Sequence, residues 1–319
     1  MCLWSKFRNN WASNRVAMNC NVVGVGEVLW DLLLTGPQLG GAPANFAYHA
    51  HALGARAKVI TRVGSDDYGR EIVRRFREMG LPDSTVQTED TLPTGTVKVE
   101  LSGNGLANFT IQENVAWDCI AATLDAIAVA RAADAICFGS LAQRCQQSRG
   151  TILTLVAAAR GDALRVFDIN LRQNFYSRPV IEESLGLANV LKLNDGELPI
   201  LAEMFGVAGS TEQQIERLAR QFSLSLIALT RGANGSLLYQ KNEDGIRWSD
   251  CSSRPVHVVD TVGAGDSFTA ALVLGLLRKM DLDEINDIAN DVARFVCSQA
   301  GATPALPIEF AKRFSTTTP

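Results

Sequence analysis

The sequence predicts an α/β fold built on a mainly parallel central sheet, with a small second sheet set outside it. Three observations carry that prediction. Strand-like apolar runs alternate with helix-like stretches along most of the 319 residues, the rhythm of βα units in a parallel sheet. The rhythm breaks between Thr94 and Gln112, where two alternating stretches flank Ser102-Gly-Asn-Gly105 as a β-hairpin would. Polar clusters then recur just past strand ends, the edge at which open parallel sheets bind ligands.

Taken in order, Asn21–Gly26 reads as a buried strand and Val28–Leu34 as a second strand-like run. Gly24-x-Gly26 would open a dinucleotide fingerprint, but Leu29 stands where a third glycine belongs and no helix follows. Asp31 is a lone carboxylate among Trp30 and three leucines; burying it without a partner costs several kcal/mol, so it asks for a ligand such as a sugar hydroxyl. An acid closing an exposed edge strand is the plainer alternative. In Gly40-Gly41-Ala42-Pro43-Ala44-Asn45 the glycines allow the backbone to touch a ligand, and Pro43 opens a helix that runs to Leu53 and stops at Gly54. Asn45 falls in its first turn, with an amide that can donate and accept. Ala57–Thr61 is the next strand, and Val63–Gly69 leads into a helix ending at Met79-Gly80. The hairpin, with Lys98 and Glu100 on one face and Val97, Val99 and Leu101 on the other, reads as a flap that could keep water from a reacting phosphoryl group. Glu113–Asp118 returns the chain to the main layer.

Beyond it the pattern gives helices over 121–132, 147–160 and 211–222, with strands at Ala135–Phe138, Leu164–Phe167, Val190–Leu193 and Ser225–Leu229. A hairpin follows at Ser236–Tyr239 and Gly245–Trp248, and a last helix spans about 283–300. Three clusters fall at strand ends: Asp168-x-Asn170-x-Arg172, Asn194-x-x-Glu197 and Thr230-Arg231-Gly232-x-x-Gly235. Each alone fits loop or cap chemistry, and Asn194 with Glu197 reads equally as a helix cap. Three in succession at one sheet edge favour a shared site.

The stretch around which these are arranged is Asp260-Thr-Val-Gly263-Ala264-Gly265-Asp266, running into an apolar helix. Unpaired N–H groups at a helix start, helped by the macrodipole, hold anions. Asp266 in such a turn repels a phosphate unless it takes up a proton during the reaction, as a general base in phosphoryl transfer does. A capped core helix is the alternative reading of that turn alone.

Composition narrows the classes. A net charge of −4 provides no field for nucleic acid or acidic membranes, and no apolar stretch reaches the length of a membrane span. Seven scattered cysteines without Cys-x-x-Cys, and an N-terminal stretch lacking an apolar signal region, lead to the expectation of a reducing, cytoplasmic setting. His49, His51 and His257 have no metal-site spacing. The expected organisation is a disordered extension over 1–19, one domain over 20–310 with a lid at about 28–40 and 93–118, and a C-terminal tail over 311–319.

Gly40–Asn45 with the later Gly54 and Gly64, and Asp260–Asp266, resemble the two signatures of the PfkB (ribokinase-like) carbohydrate kinases. Gly26–Asp31, Glu113–Asp118 and Phe167–Arg172 are most similar to fructokinase-type members. The resemblance covers about Asn21 to Pro307. It implies a three-layer α/β/α sandwich with a β-sheet lid, and ATP-dependent phosphorylation of a sugar hydroxymethyl group, fructose first. By the same resemblance Asp266 is the general base and Gly263, Ala264 and Gly265 form the anion hole. Asp31, Gly40, Gly41, Asn45 and Arg172 hold the sugar. Asn194, Thr230, Gly232, Gly235 and Asn290 bind the nucleotide; Glu197 serves Mg²⁺ through water, and Asp260 a monovalent cation such as K⁺. A homodimer through the lid is implied as well. Kinases for ribose, 2-keto-3-deoxygluconate or a nucleoside, and a sugar-binding regulator without catalysis, are the competing functions.

Overall fold

A computed structural model describes residues 20–33, 36–101 and 107–315. The expected extension over 1–19, the Ser102–Gly105 turn and the last four residues lie outside the described residues. Strand β1 (Asn21–Val25) leads to β2 (Leu29–Leu33) and β3 (Gly36–Gly40), then α1 (Ala42–Ala52), β4 (Arg56–Gly64), α2 (Asp67–Met79) and β5 (Val86–Glu89). Next come β6 (Gly95–Leu101), β7 (Ala107–Ile111), α3 (Leu124–Arg131), β8 (Ala135–Phe138), α4 (Gln146–Ala158), β9 (Leu164–Asp168) and α5 (Arg178–Leu187). The chain continues through β10 (Val190–Asn194), α6 (Glu197–Phe205), α7 (Thr211–Gln221), β11 (Leu226–Thr230), β12 (Ser236–Asn242) and β13 (Gly245–Cys251). It ends with α8 (Ala264–Leu277), α9 (Leu282–Cys297) and α10 (Ile308–Arg313).

Nine strands form the central sheet in the order β13-β12-β11-β10-β9-β8-β1-β4-β5, parallel except at the β11–β12–β13 edge. Both faces are apolar, as a helix-covered parallel sheet requires. Along β8, Ile136 and Phe138 pack with α3, α4 and α5, whereas Ala135 and Cys137 face α1, α8 and α9. The three-layer α/β/α sandwich is thereby formed.

A separate four-stranded sheet, in the order β3-β2-β6-β7, stands outside it. Its roots are fixed by buried polar contacts. Asp66 caps α2 at the Gly69 amide (2.8 Å) and also accepts from the Thr94 amide (2.8 Å) and hydroxyl (2.6 Å), where β6 begins. At the return, Arg144 clasps Asp118 through Nε and Nη2, both at 2.8 Å, and stacks 3.8 Å from the Trp117 ring centre.

Several boundaries differ from expectation for local reasons. The helix expected from 121 starts at Leu124, because Thr123 accepts the Ala126 amide as its cap. Helix α5 and strand β5 were not anticipated; α5 begins at Arg178-Pro179 and buries only Val180, Ile181, Ser184 and Leu185. The expected tail from 311 is instead helix α10 followed by a buried Phe314, with Arg313 paired to Asp287 and Asp291 at 3.0 Å each.

Candidate active site

The turn before α8 has the shape the sequence suggested. Gly263 is the N-cap residue, with φ 78° and no side-chain cap, so the first amides of α8 stay unclaimed by any side chain. A Cβ on Gly263 would lie 2.3 Å from the Ala302 carbonyl oxygen, so neither the conformation nor the space admits a side chain there. Asp266 sits in the first turn, buried, and its Oδ2 accepts from Asn45 Nδ2 at 2.8 Å. Two signatures 221 positions apart thus meet in one hydrogen bond.

Burial raises the Asp266 carboxyl to about 6, and Asp168 adds to this; the Asn45 hydrogen bond, Lys192 and Arg172 pull the other way. Asp31 is likewise raised by burial to about 6, opposed by Arg172 and increased slightly by Asp260. Arg172 therefore lies within electrostatic reach of both acids. Arg172 itself is exposed; its Nη1 donates to the Leu171 carbonyl at 3.1 Å. It is carried on a loop whose Asn170 and Gln173 take left-handed φ values of 45° and 47°. Gly40 fits where it does because a Cβ would lie 2.4 Å from Asp31 Oδ2. The second sheet reaches the same region: Gln38 Oε1 is 3.6 Å from where a Gly301 Cβ would stand.

Beneath the turn lies a pair of which the sequence singled out only Asp168, in its strand-end cluster, and not Lys192. Lys192 Nζ bonds Asp168 Oδ1 at 3.1 Å, and Asp168 Oδ2 accepts from the Thr269 hydroxyl at 2.9 Å, one turn into α8. Burial alone would lower the Lys192 pKa, but Asp168, Glu197 and Asp266 raise it above the ordinary lysine value, so the ammonium stays charged. A Cβ on Gly265 would lie 2.9 Å from that Nζ. The glycine turn is thus backed by a buried cation. An apolar-looking Val-Leu-Lys-Leu strand hid it, since a lone lysine is ordinarily solvated.

The nucleotide-side candidates separate. Asn194 Oδ1 accepts the amides of Gly196 (2.9 Å) and Glu197 (3.0 Å), the cap reading. Glu197 is buried, and its two oxygens accept the Leu171 and Asn194 amides, each at 2.8 Å. It thereby ties the ends of β9 and β10 together. Burial raises its pKa, with Lys192 opposing. Thr230 ends β11, and its hydroxyl donates to the Leu193 carbonyl at 3.3 Å. Gly232 and Gly235 shape the short helical turn that follows, with φ 53° and 84°. The Asn290 amide donates to Ser236 Oγ (2.6 Å) and the Asn286 carbonyl (2.8 Å), so it holds α9 to β12. Asp260 accepts the Val262 amide (3.0 Å) and the Gly301 amide (3.1 Å), closing the loop beside the turn.

Two further residues of α1 support that loop. Tyr48 donates to the Pro304 carbonyl at 3.1 Å, and His49 Nε2–H donates to the Ala302 carbonyl at 2.9 Å. Burial lowers His49 to about 4, so the ring is neutral at physiological pH. Among the described residues no three His, Cys, Asp or Glu side chains gather as a metal site, and no helix is long and apolar enough to cross a membrane.

Known proteins agree with this architecture. The family described as pfkB family carbohydrate kinase matches residues 36–309. An uncharacterized sugar kinase of Pyrococcus horikoshii is 30% identical over 303 residues, 88% of this chain and 91% of its own. Its solved structure superimposes with a TM-score of 0.77, covering 93% of this chain and all of that one, and it has also been solved with ATP. A fructokinase of Escherichia coli is 27% identical over 309 residues, covering 91% and 97%. The fructokinase of Xylella fastidiosa with bound ATP, 21% identical, shares the fold at a TM-score of 0.80 over 92% and 97%. With the family match spanning most of its length and both signatures meeting in one buried site, the chain belongs to the pfkB family and is an ATP-dependent carbohydrate kinase.

Proposed function

We propose that the sugar is fructose and that Asp266 is the base. The observation that carries the catalytic assignment is the buried Asn45–Asp266 bond beside amides that no side chain caps. The sugar hydroxymethyl group gives its proton to Asp266 as its oxygen attacks the γ-phosphorus of ATP. The bond from that phosphorus to the β–γ bridging oxygen breaks, and ADP leaves. The amides of the Gly263–Gly265 turn, backed by Lys192, meet the charge on the transferring group. Asp31, Gly40, Gly41, Asn45 and Arg172 border the sugar; Asn194, Thr230, Gly232 and Gly235 border the nucleotide.

When bound, Mg²⁺ would neutralise phosphate charge. Glu197 has each oxygen occupied by one amide and suits it through retained water better than by direct contact. Asp260 and the carbonyls of its loop are the groups on which a K⁺ requirement would rest. The second sheet acts as a lid that excludes water, and its outer face is where two copies would meet. Fructose rests on the relatives named fructokinase at 27–29% identity. A sugar acid such as 2-keto-3-deoxygluconate is favoured instead by the exposed Arg172, whose positive charge faces the sugar region. A panel of fructose, ribose, other hexoses and sugar acids, followed by ADP release, decides between them. Fructose gives the highest kcat/KM on this reading; a sugar acid well above fructose overturns the choice.

The Asn45 contact makes a separate prediction. Asn45→Leu removes a donor that stabilises ionised Asp266. The acid limb of kcat/KM then moves to higher pH, by about one unit. An unmoved limb would show that the bond does not set the base.

A further inference from the structure

Strands β2 and β3 pair antiparallel with Asp31 directly opposite Gln38. On its other side Asp31 is flanked by Val97 of β6, and Val97 in turn by Ile111 of β7. Residues directly opposite one another share a face, so Gln38, Asp31, Val97 and Ile111 form one row across the second sheet. Val97 and Ile111 are buried in the same core as Trp117 and Leu141, so this face turns toward the body of the protein. The other end of the row is polar. Gln38 is half-buried, and its Oε1 lies 3.6 Å from where a Gly301 Cβ would stand, on the loop whose Gly301 amide is held by Asp260. The Asp31 carboxylate lies over Gly40, two residues after Gln38 on the same strand. From Gly40 the chain runs into α1, whose Asn45 bonds Asp266. Neither Asp31 nor Gln38 uses its side chain in a hydrogen bond to another described residue.

We propose that Gln38 is a sugar-specificity residue: its amide takes a hydroxyl adjacent, on the sugar, to the one that Asp31 holds. Cβ atoms of directly opposed residues stand about 5 Å apart, so the two side-chain tips can converge on neighbouring oxygens of one ligand. An ionised carboxylate only accepts, whereas a carboxamide donates and accepts. Together they suit a vicinal diol, in which one hydroxyl donates to Asp31 and its neighbour meets either polar atom of the Gln38 amide. An uncharged amide beside a carboxylate offers no attraction to an anionic group. This end of the site therefore favours a neutral polyol, and a charged substituent on the sugar is left to Arg172.

The inference rests on the reading that Asp31 holds the sugar, and Asp31→Asn separates the two. Values of kcat and KM are measured for the wild type, Gln38→Leu, Gln38→Ala and Asp31→Asn, each checked for folding by circular dichroism. The substrates are the sugar of highest kcat/KM and those of its monodeoxy derivatives that keep the phosphorylated hydroxyl. Gln38→Leu should lower kcat/KM for the parent sugar by about 3–10-fold, the worth of one neutral hydrogen bond. The loss should fall on KM, with kcat little changed, because the contact is made in the ground state and the transition state alike. One deoxy derivative should cost the wild type a similar factor and cost Gln38→Leu nothing more, since the amide and that hydroxyl are partners. Losses with the other derivatives should multiply. Gln38→Ala, which removes the amide without adding apolar bulk, should give the same pattern and decides the matter if the leucine variant does not fold. Unchanged kcat/KM in the folded Gln38 variants, or losses that multiply with every derivative, overturns the proposal. If Asp31→Asn raises KM in either case, the sugar site stands and only the role of Gln38 is lost. An Asp31→Asn KM equal to that of the wild type removes the sugar-side reading itself, and the proposal with it.

Discussion

Asp266→Asn lowers turnover by about 10²–10⁴-fold, the range a general base contributes, while sugar binding changes little. The substitution keeps the size of the side chain and a partner for Asn45, so packing at the start of α8 survives. What disappears is the group proposed to accept the hydroxyl proton. The wild-type pH profile carries the same signature. With Asp266 raised to about 6 by burial, its ionised, proton-accepting form predominates above that pH and is lost below it. Activity should therefore rise with pH through about 6, and the ascending limb should vanish from whatever activity the asparagine variant retains. Steady-state ADP release with calorimetric sugar titration checks both halves.

Lys192→Met is the substitution with the largest expected cost in stability. Lys192 and Asp168 are both nearly fully buried, and removing one partner leaves the other charge uncompensated, at about 3–5 kcal/mol. The damage extends to the site, since Asp168 also receives the Thr269 hydroxyl on α8, and Lys192 backs the Gly265 turn. Replacing both partners, as Lys192→Met with Asp168→Leu, removes the orphaned charge and should recover much of the lost stability without recovering activity. Denaturant unfolding of the two single variants and the double variant measures the coupling. Additive losses would show that the pair is not the unit described here.

The layers of the fold were legible because burial on both faces leaves a simple mark. Runs such as Val22–Val25 and Leu226–Leu229 are continuous apolar strands, and Gly54 and Gly80 stop helices where the pattern ends. Elements whose reasons are tertiary were not legible. Strand β5 exists because β4 offers it a parallel edge, and α10 exists because Phe314 finds a place in the core. At the site, residues in glycine-rich turns could be found from sequence, since local geometry demands glycine there. Lys192, His49 and Tyr48 could not. Each acts through a partner far along the chain, and by composition each passes for an ordinary strand or helix residue. Asn290, a polar residue on α9, has a role in the fold that the sequence did not show: its amide joins α9 to Ser236 on β12.

The proposed placement of Asp31, Arg172, Asn45 and Asp266 around one substrate is tested most directly by a crystal structure with fructose and a non-hydrolysable ATP analogue. The sugar should lie between Asp31 and Asp266, its hydroxymethyl oxygen about 3 Å from the Asp266 carboxylate, and the terminal phosphate should face the Gly263–Gly265 amides. A sugar bound away from Asp266, or a terminal phosphate turned away from the start of α8, would contradict the account.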